Sequence, residues 1–264
     1  MAMKFVKSFC SELAKRRTAG ACCFLAVLLA LAGCGGTSVK DPLVSAEVVP
    51  VVLPTESYLP VDSFDKEGVL LPYEVAANPY AVQTGRIKKE TVAQFIAARR
   101  AFRAESYGEA KQILEKLVDE ARELSGPKVM LGDIALQEQR LDDAATLYEQ
   151  AITTNPENVN AYLRLAKVRR LQGQFVVAQN YYAQALALWK DFPEAHLNLA
   201  ILYDVYMNKP LLAQQHMEAY QFLSGNREGE VATWLAEIRE RTGVDYSIRA
   251  GKPAHSVSVA GDGV

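Results

Sequence analysis

A regular interval governs much of this sequence, because small and apolar residues recur every 34 positions. Four series follow it: Ala110, Ala144 and Ala178; Leu114, Tyr148 and Tyr182; Leu117, Ala151 and Ala185; and Ala98, Gly132, Ala166 and Ala200. A further unit continues the pattern after one inserted residue, which brings Ala213 and Met217 into register. Self-similarity at a period of about 20–50 residues indicates stacked supersecondary units. We therefore predict a repeat array that begins near residue 91.

The pattern within each unit resembles the tetratricopeptide repeat. The third unit carries it most completely, with Tyr162, Leu165-Ala166, Ala178, Tyr182 and Ala185, and the second unit adds a terminal Pro156. The resemblance implies an all-α solenoid of helical hairpins, in which small residues lie where the two helices of a unit cross. Large apolar residues would fill the space to the next hairpin. Four units are placed near 91–124, 125–158, 159–192 and 193–227.

The sequence after the fourth unit predicts one more helix, from Gly229 to Arg241, which completes a repeat domain over 91–241. One face of this helix carries Val231, Trp234, Leu235 and Ile238. A solenoid needs a cap over its last apolar interface, so we interpret this helix as the cap. A contact with a partner is the alternative for Trp234. Residues 242–264, rich in glycine and serine, are predicted to be a disordered tail.

Residues 34–90 show no helical periodicity and form a proline-rich linker. This segment contains six of the eleven prolines of the chain, and proline disfavours helix at the residue before it. An extended spacer is the simplest interpretation. However, Val48–Pro54 and Val69–Pro72 are apolar. They support the alternative that part of residues 45–75 packs back on the array, along its groove, and is displaced by a partner.

The N-terminus has the composition of a secretory signal. Five basic residues within the first 17 positions precede an uncharged apolar run, residues 18–33. The run ends in Leu31-Ala32-Gly33-Cys34, which resembles the lipobox of bacterial lipoproteins. The resemblance implies that residues 1–33 are a cleaved signal peptide and that Cys34 carries lipid. An uncleaved transmembrane anchor is the alternative, but the run is shorter than the about 20 residues that a bilayer requires.

Charge and cysteine content narrow the possible function. The chain has 29 basic and 31 acidic residues and a formal net charge of −2. No cluster of lysine and arginine suited to phosphate contacts follows Arg17, so nucleic-acid binding is not expected. Three of the four cysteines, Cys10, Cys22 and Cys23, lie in the signal. Because the fourth would carry lipid, the mature chain could form no disulfide and no cysteine-based zinc site.

The sequence contains no convincing catalytic constellation. His196 occupies a packed position of the fourth unit and is interpreted as structural. His216 lacks metal-ligand spacing to another histidine, and His255 lies in the tail. Asp142-Asp143 opens a helix, where the helix dipole favours negative charge. We therefore predict a protein that is not an enzyme and has no cofactor, metal or small-molecule substrate. A cell-wall hydrolase or another envelope enzyme, which would need facing carboxylates, is the alternative.

The resemblance also implies a concave groove that is lined by the first helix of each unit and binds a protein or peptide. Its candidate residues are Phe95, Arg99, Asp133, Asn160, Arg164, Lys167, Asn198 and Asp204. Arg164, Lys167 and Arg170 form a basic band that would take an acidic or C-terminal peptide group; solvated charges on a helix face are the alternative. The two-carboxylate clamp of chaperone-binding members is not expected. Only Arg164 fits its five positions, which hold Phe95, Arg99, Met130, Asn160 and Arg164.

Together these features predict a lipid-anchored, non-catalytic interaction scaffold of the bacterial envelope. The family resemblance implies that Gly35, in place of an aspartate after the lipidated cysteine, favours the periplasmic face of the outer membrane. The expected role is accessory to an assembly or transport machine, such as a pilus secretin, a TonB- or Tol-like system, or a cell-wall enzyme complex.

Overall fold

The computed structural model describes residues 51–225 and 228–245. The predicted signal, Cys34 and the tail after residue 245 lie outside the described residues. The helices are α1 (Lys89–Arg103), α2 (Tyr107–Glu120), α3 (Ser125–Gln137), α4 (Leu141–Thr154), α5 (Val159–Leu171), α6 (Phe175–Leu188), α7 (Pro193–Ile201), α8 (Pro210–Ser224) and α9 (Glu230–Thr242). Helices α1 to α8 pair into four hairpins, which confirms the predicted all-α solenoid. No helix in the described part is long and apolar enough to cross a bilayer.

The small residues of the repeat lie where the two helices of each hairpin cross. Ala98, Ala166 and Ala200 are fully buried, as are the alanines of the series that begins at Ala110. Gly132 shows why size matters: a Cβ atom at this position would lie 2.5 Å from the Tyr148 ring. Contacts this short do not occur between real atoms. Small residues therefore recur every 34 positions because the two helices of each hairpin approach closely there.

Each hairpin turns at a residue in the left-handed region of backbone space. Glu105, Gln139 and Gly173 have φ values of 59°, 61° and 78°, and Asn208 has a φ value of 52°. Only glycine adopts this conformation without steric cost. The turns recur with the repeat, because these residues are 34, 34 and 35 positions apart.

The residue inserted in the fourth unit is accommodated by a π-helical segment. Residues Leu202–Tyr206 continue α7 as a π-helix, and the Met207 amide donates to the carbonyl of Leu202, five residues earlier, at 3.1 Å. The wider turn of a π-helix absorbs one extra residue without breaking the helix. This explains why Ala200 keeps the 34-residue interval, whereas Ala213 lies 35 residues after Ala178.

The last hairpin is covered by α9, as predicted. Leu235 and Ile238 are buried in the core that the third and fourth units share, and Val231 and Trp234 pack at its edge. The helix ends at Gly243, which has the left-handed φ of 62°. Glycine at this position is the common end of a helix. The cap thus removes the apolar surface that a terminal hairpin would expose.

The first helices of successive hairpins adjoin one another, because α3 approaches α5 and α5 approaches α7. We call the surface formed by α1, α3, α5 and α7 the inner face, and the surface formed by α2, α4, α6 and α8 the outer face. The inner face corresponds to the groove that the sequence predicts. The candidate binding residues lie on these first helices or on the π-helical segment that continues α7.

Candidate partner-binding site

The centre of the inner face is organised by Asp133. Its Oδ1 accepts a hydrogen bond from Tyr148 Oη at 2.7 Å and another from Arg164 Nε, also at 2.7 Å. Arg164 also reaches the carbonyl of Asn160 at 3.4 Å. Burial and the Asp133 carboxylate raise the pKa of the Tyr148 hydroxyl, so this hydroxyl stays protonated and donates. Two predicted site residues, Asp133 and Arg164, therefore bond to each other across α3 and α5.

The remaining predicted residues occupy different environments. Arg99 and Lys167 are exposed, and Phe95 is half-buried. Asn198 donates from Nδ2 to the carbonyl of Glu194 at 2.7 Å, a bond within its own helix. Of the eight candidates, Asp133, Asn160 and Arg164 are joined by hydrogen bonds, and the other five are not part of this group.

The carboxylate of Asp204, another candidate groove residue, is bonded to the cap helix. Its Oδ2 accepts from Trp234 Nε1 at 2.8 Å, and its Oδ1 accepts from Arg241 Nη2 at 2.6 Å. Both donors lie on α9, so this residue fastens the cap to the π-helical segment. The 34-residue pattern contains no sign of these contacts. The Trp234 ring packs at the core edge as predicted.

Arg170 is the least expected residue of the inner face. Its side chain is only 7 % exposed. Its Nη1 donates to Tyr206 Oη at 3.2 Å, and its Cζ lies 5.2 Å from the centre of the Tyr206 ring. Nε has no hydrogen-bond partner among the described residues. The neutral Tyr182 hydroxyl is also near, since Arg170 partly offsets the rise in its pKa that burial causes. The guanidinium is therefore buried on aromatic surface without a carboxylate in contact.

Residues 51–88, which we call the strap, pack on the solenoid rather than extending away from it. The Leu53 amide donates to Asn180 Oδ1 at 2.8 Å, and the Leu53 carbonyl accepts from Gln179 Nε2 at 2.9 Å. Further on, the Ala76 amide and the Tyr73 hydroxyl donate to the carboxylate of Asp191 at 2.6 and 2.5 Å. The hypothesis that the linker docks is confirmed for the described residues.

The docking position differs from the predicted one. Gln179 and Asn180 belong to α6 on the outer face, and Asp191 lies in the loop between α6 and α7. The strap then reaches the loop between α4 and α5, where Gln83 donates to Glu157 at 2.6 Å. The groove placement is therefore wrong. The polar side chains that satisfy the strap backbone lie on the outer face and at the loops, not along the first helices.

A chain of buried hydrogen bonds joins the strap to the fourth hairpin. His196 Nε2 lies 2.8 Å from the Lys190 carbonyl, and its Nδ1 lies 2.9 Å from Nδ1 of His216. His216 Nε2 lies 2.9 Å from Thr55 Oγ1, which is 2.8 Å from the Tyr203 hydroxyl. Thr55 and both histidines are fully buried. Sequence reasoning missed this chain, because a lone threonine in a proline-rich segment carries no signal of it.

The carbonyl at one end assigns every proton in this chain when both histidines are neutral. A carbonyl can only accept, so His196 Nε2 donates, and the Nδ1 of a neutral His196 must accept from His216 Nδ1. His216 Nε2 then accepts from the Thr55 hydroxyl, which in turn accepts from Tyr203. Both histidines are neutral in this arrangement. Burial agrees with it, since it lowers the pKa of His196 to about 4 and the pKa of His216 well below its usual value.

The ring nitrogens of the two buried histidines already have hydrogen-bond partners. Both ring nitrogens of His196 and of His216 are engaged in hydrogen bonds. No group of three or more histidine, cysteine, aspartate and glutamate side chains within residues 51–225 and 228–245 is arranged to hold a metal ion.

Comparison with known proteins agrees with this geometry. Residues 132–173 match the family model of the TPR repeat. A mouse (Mus musculus) protein, Protein O-mannosyl-transferase TMTC1, is 32% identical over 104 residues, which are 37% of this chain. The chain spans only 11% of the length of that relative.

Solved structures show the same fold. TTC0263, a thermophilic TPR protein of Thermus thermophilus, aligns with a TM-score of 0.50 and 22% identity over 57% of this chain and 81% of that one. PilF of Pseudomonas aeruginosa aligns with a TM-score of 0.52 and 18% identity over 58% of this chain and 69% of that one. MamA of Desulfovibrio magneticus RS-1 aligns with a TM-score of 0.50 and 16% identity over 60% of this chain and 88% of that one. The hairpins of this chain therefore form a tetratricopeptide-repeat solenoid.

Proposed function

We propose that this chain is a non-catalytic, membrane-anchored scaffold that binds a protein or peptide partner on its inner face. The observation that carries the proposal is the inner face itself. Its helices present half-buried and exposed polar side chains. Among the described residues, no hydrogen bond joins the strap to α3 or α5, so the polar side chains in the middle of the inner face are not bonded by the chain's own linker.

The anchor is proposed from the sequence Leu31-Ala32-Gly33-Cys34. A lipid on Cys34 would hold the repeat domain at a membrane, and Gly35 favours the outer membrane with the domain facing the periplasm. Replacing Cys34 by serine should abolish labelling with a fatty-acid analogue and release the protein from the membrane fraction. Persistent label in the Cys34→Ser chain would remove this part of the proposal.

The role follows from the anchor and the inner face together. A tethered scaffold without catalytic groups acts by holding other proteins in place. We place it beside an assembly or transport machine of the envelope, such as a pilus secretin, a TonB- or Tol-like system, or a cell-wall enzyme complex. These alternatives differ in the partner that the inner face binds.

Site-specific photo-crosslinking in cells tests the binding face. A photoreactive phenylalanine analogue at Asn198 samples the inner face, and the same analogue at the exposed Thr153 samples α4 on the outer face. The proposal predicts a discrete crosslinked protein from position 198 and none of the same mass from position 153. Crosslinks from position 153 alone would place the interaction on the other face and refute the proposal.

A further inference from the structure

The charges of the inner face do not balance around α5. Arg164, Lys167 and Arg170 follow one another at intervals of three residues, so they lie on one side of the helix. Two aspartates occupy inner positions on the neighbouring elements. Asp133 is engaged by Arg164, and Asp204 is engaged by Arg241 from the cap. Neither Lys167 nor Arg170 forms an ion pair within residues 51–225 and 228–245, so two positive charges remain without a counter-ion.

Arg170 makes this imbalance energetically significant. Its side chain is more than nine-tenths buried, and a buried charge is unfavourable unless it is paired. Its described hydrogen bond goes from Nη1 to the neutral Tyr206 hydroxyl. Nε has no hydrogen-bond partner among the described residues and is shielded from solvent. The guanidinium therefore carries its charge without a carboxylate in contact, and a carboxylate of a ligand would supply the missing counter-charge.

Lys167 adds a second cation on the same side of α5, three residues before Arg170. Desolvation lowers the pKa of its ammonium group, and the positive charge of Arg170 lowers it further. Unlike Arg170, Lys167 is exposed and accessible from solvent. An anion placed between the two groups would relieve the repulsion and pair both charges.

We infer that Lys167 and Arg170 form a binding site for a carboxylate of the partner, either an acidic side chain or a peptide C-terminus. This inference rests on the proposed function, because it names the chemistry by which the inner face recognises its partner. A peptide fits the site better than a nucleic acid, since the chain as a whole is negatively charged and Leu163 and Leu197 lie half-buried at neighbouring inner positions.

Calorimetric titration of the full-length chain in detergent tests the site with three acetylated peptides. Amidated hexaglutamate offers only side-chain carboxylates, hexaalanine with a free C-terminus offers one terminal carboxylate, and amidated hexaalanine offers none. At least one carboxylate peptide should bind about tenfold or more tightly than amidated hexaalanine, because a hydrogen bond to a charged group has that value. Whichever carboxylate peptide binds identifies the source of the group.

Two substitutions locate the site. Lys167→Gln and Arg170→Gln should each weaken the carboxylate peptide about tenfold, whereas Lys116→Gln should change affinity less than about twofold. Lys116 is a suitable control because it lies exposed on α2, and Lys167→Gln covers the case in which Arg170→Gln fails to fold. Equal affinities for all three peptides, unchanged affinity in Lys167→Gln, or no binding at all would overturn the inference. The crosslink from position 198 would persist in those cases, so the scaffold function would stand.

Discussion

Replacing Thr55 by valine tests whether the buried hydrogen-bond chain holds the strap on the solenoid. Thr55 is fully buried, and its hydroxyl donates to His216 Nε2 while it accepts from Tyr203. Valine keeps nearly the same shape and removes only this hydroxyl. The substitution therefore separates the hydrogen bonds from the packing of the side chain.

The expected loss follows from the groups that would remain unsatisfied. His216 and the Tyr203 hydroxyl would each lose a partner in a site that water does not reach. Each unsatisfied buried group costs about 1–3 kcal/mol, and partial relaxation reduces the sum. We expect the free energy of unfolding to fall by about 2–4 kcal/mol. Thr55→Ser keeps the hydroxyl and should cost only about 1 kcal/mol for the lost methyl group.

Urea unfolding with two probes measures the effect. Trp189 reports the strap directly, since its Nε1 donates to the Ala76 carbonyl at 2.6 Å, and far-ultraviolet circular dichroism reports the helices. The fluorescence transition of Thr55→Val should move to lower urea than that of Thr55→Ser. Coincident transitions for wild type and Thr55→Val, or equal losses for the two substitutions, would refute the reasoning.

Other predictions concern acid, helix crossings and packing. The pKa of His196 is about 4 in the folded chain and 6.5 for the free group, so the unfolded chain binds more protons between these two pH values. The free energy of unfolding should therefore fall by about 3 kcal/mol from this residue as the pH drops from 6.5 to 4. A free energy of unfolding that does not change over this pH range would contradict the prediction. Gly132→Ala should cost about 1–3 kcal/mol because its Cβ meets the Tyr148 ring, and unchanged urea melts would argue against close helix contact there. Ala178→Leu should cost a similar free energy of unfolding by overpacking the helix crossing. An unchanged urea melt would mean that this crossing has room for the larger side chain.

The repeat boundaries could be predicted because the sequence records them directly. Small residues mark each helix crossing, and turn residues mark each bend, so the predicted start at residue 91 lies close to the observed start at Lys89. The predicted cap, Gly229 to Arg241, differs from the observed Glu230–Thr242 by one residue at each end. In each case the signal is local in sequence and repeats.

The strap and the pairing of charges could not be predicted in the same way. The strap is held by side chains such as Asn180, which bond the backbone of a segment more than 100 residues away. Such contacts leave no periodic pattern. Asp204 shows the same limit, since its partners Trp234 and Arg241 on α9 lie 30 and 37 residues further along the chain. Polar contacts between residues far apart in sequence could therefore be identified only from the structure.

An affinity comparison across the two faces tests the central claim most directly. The protein captured from position 198 would be purified and titrated against the wild-type chain, Asn160→Arg on the inner face and Thr153→Arg on the outer face. Thr153 is exposed on α4, and Asn160 is half-buried on α5. Binding to the inner face predicts a loss of about tenfold or more for Asn160→Arg and less than about twofold for Thr153→Arg. The reverse order of affinities would contradict the assignment of the inner face as the partner-binding surface.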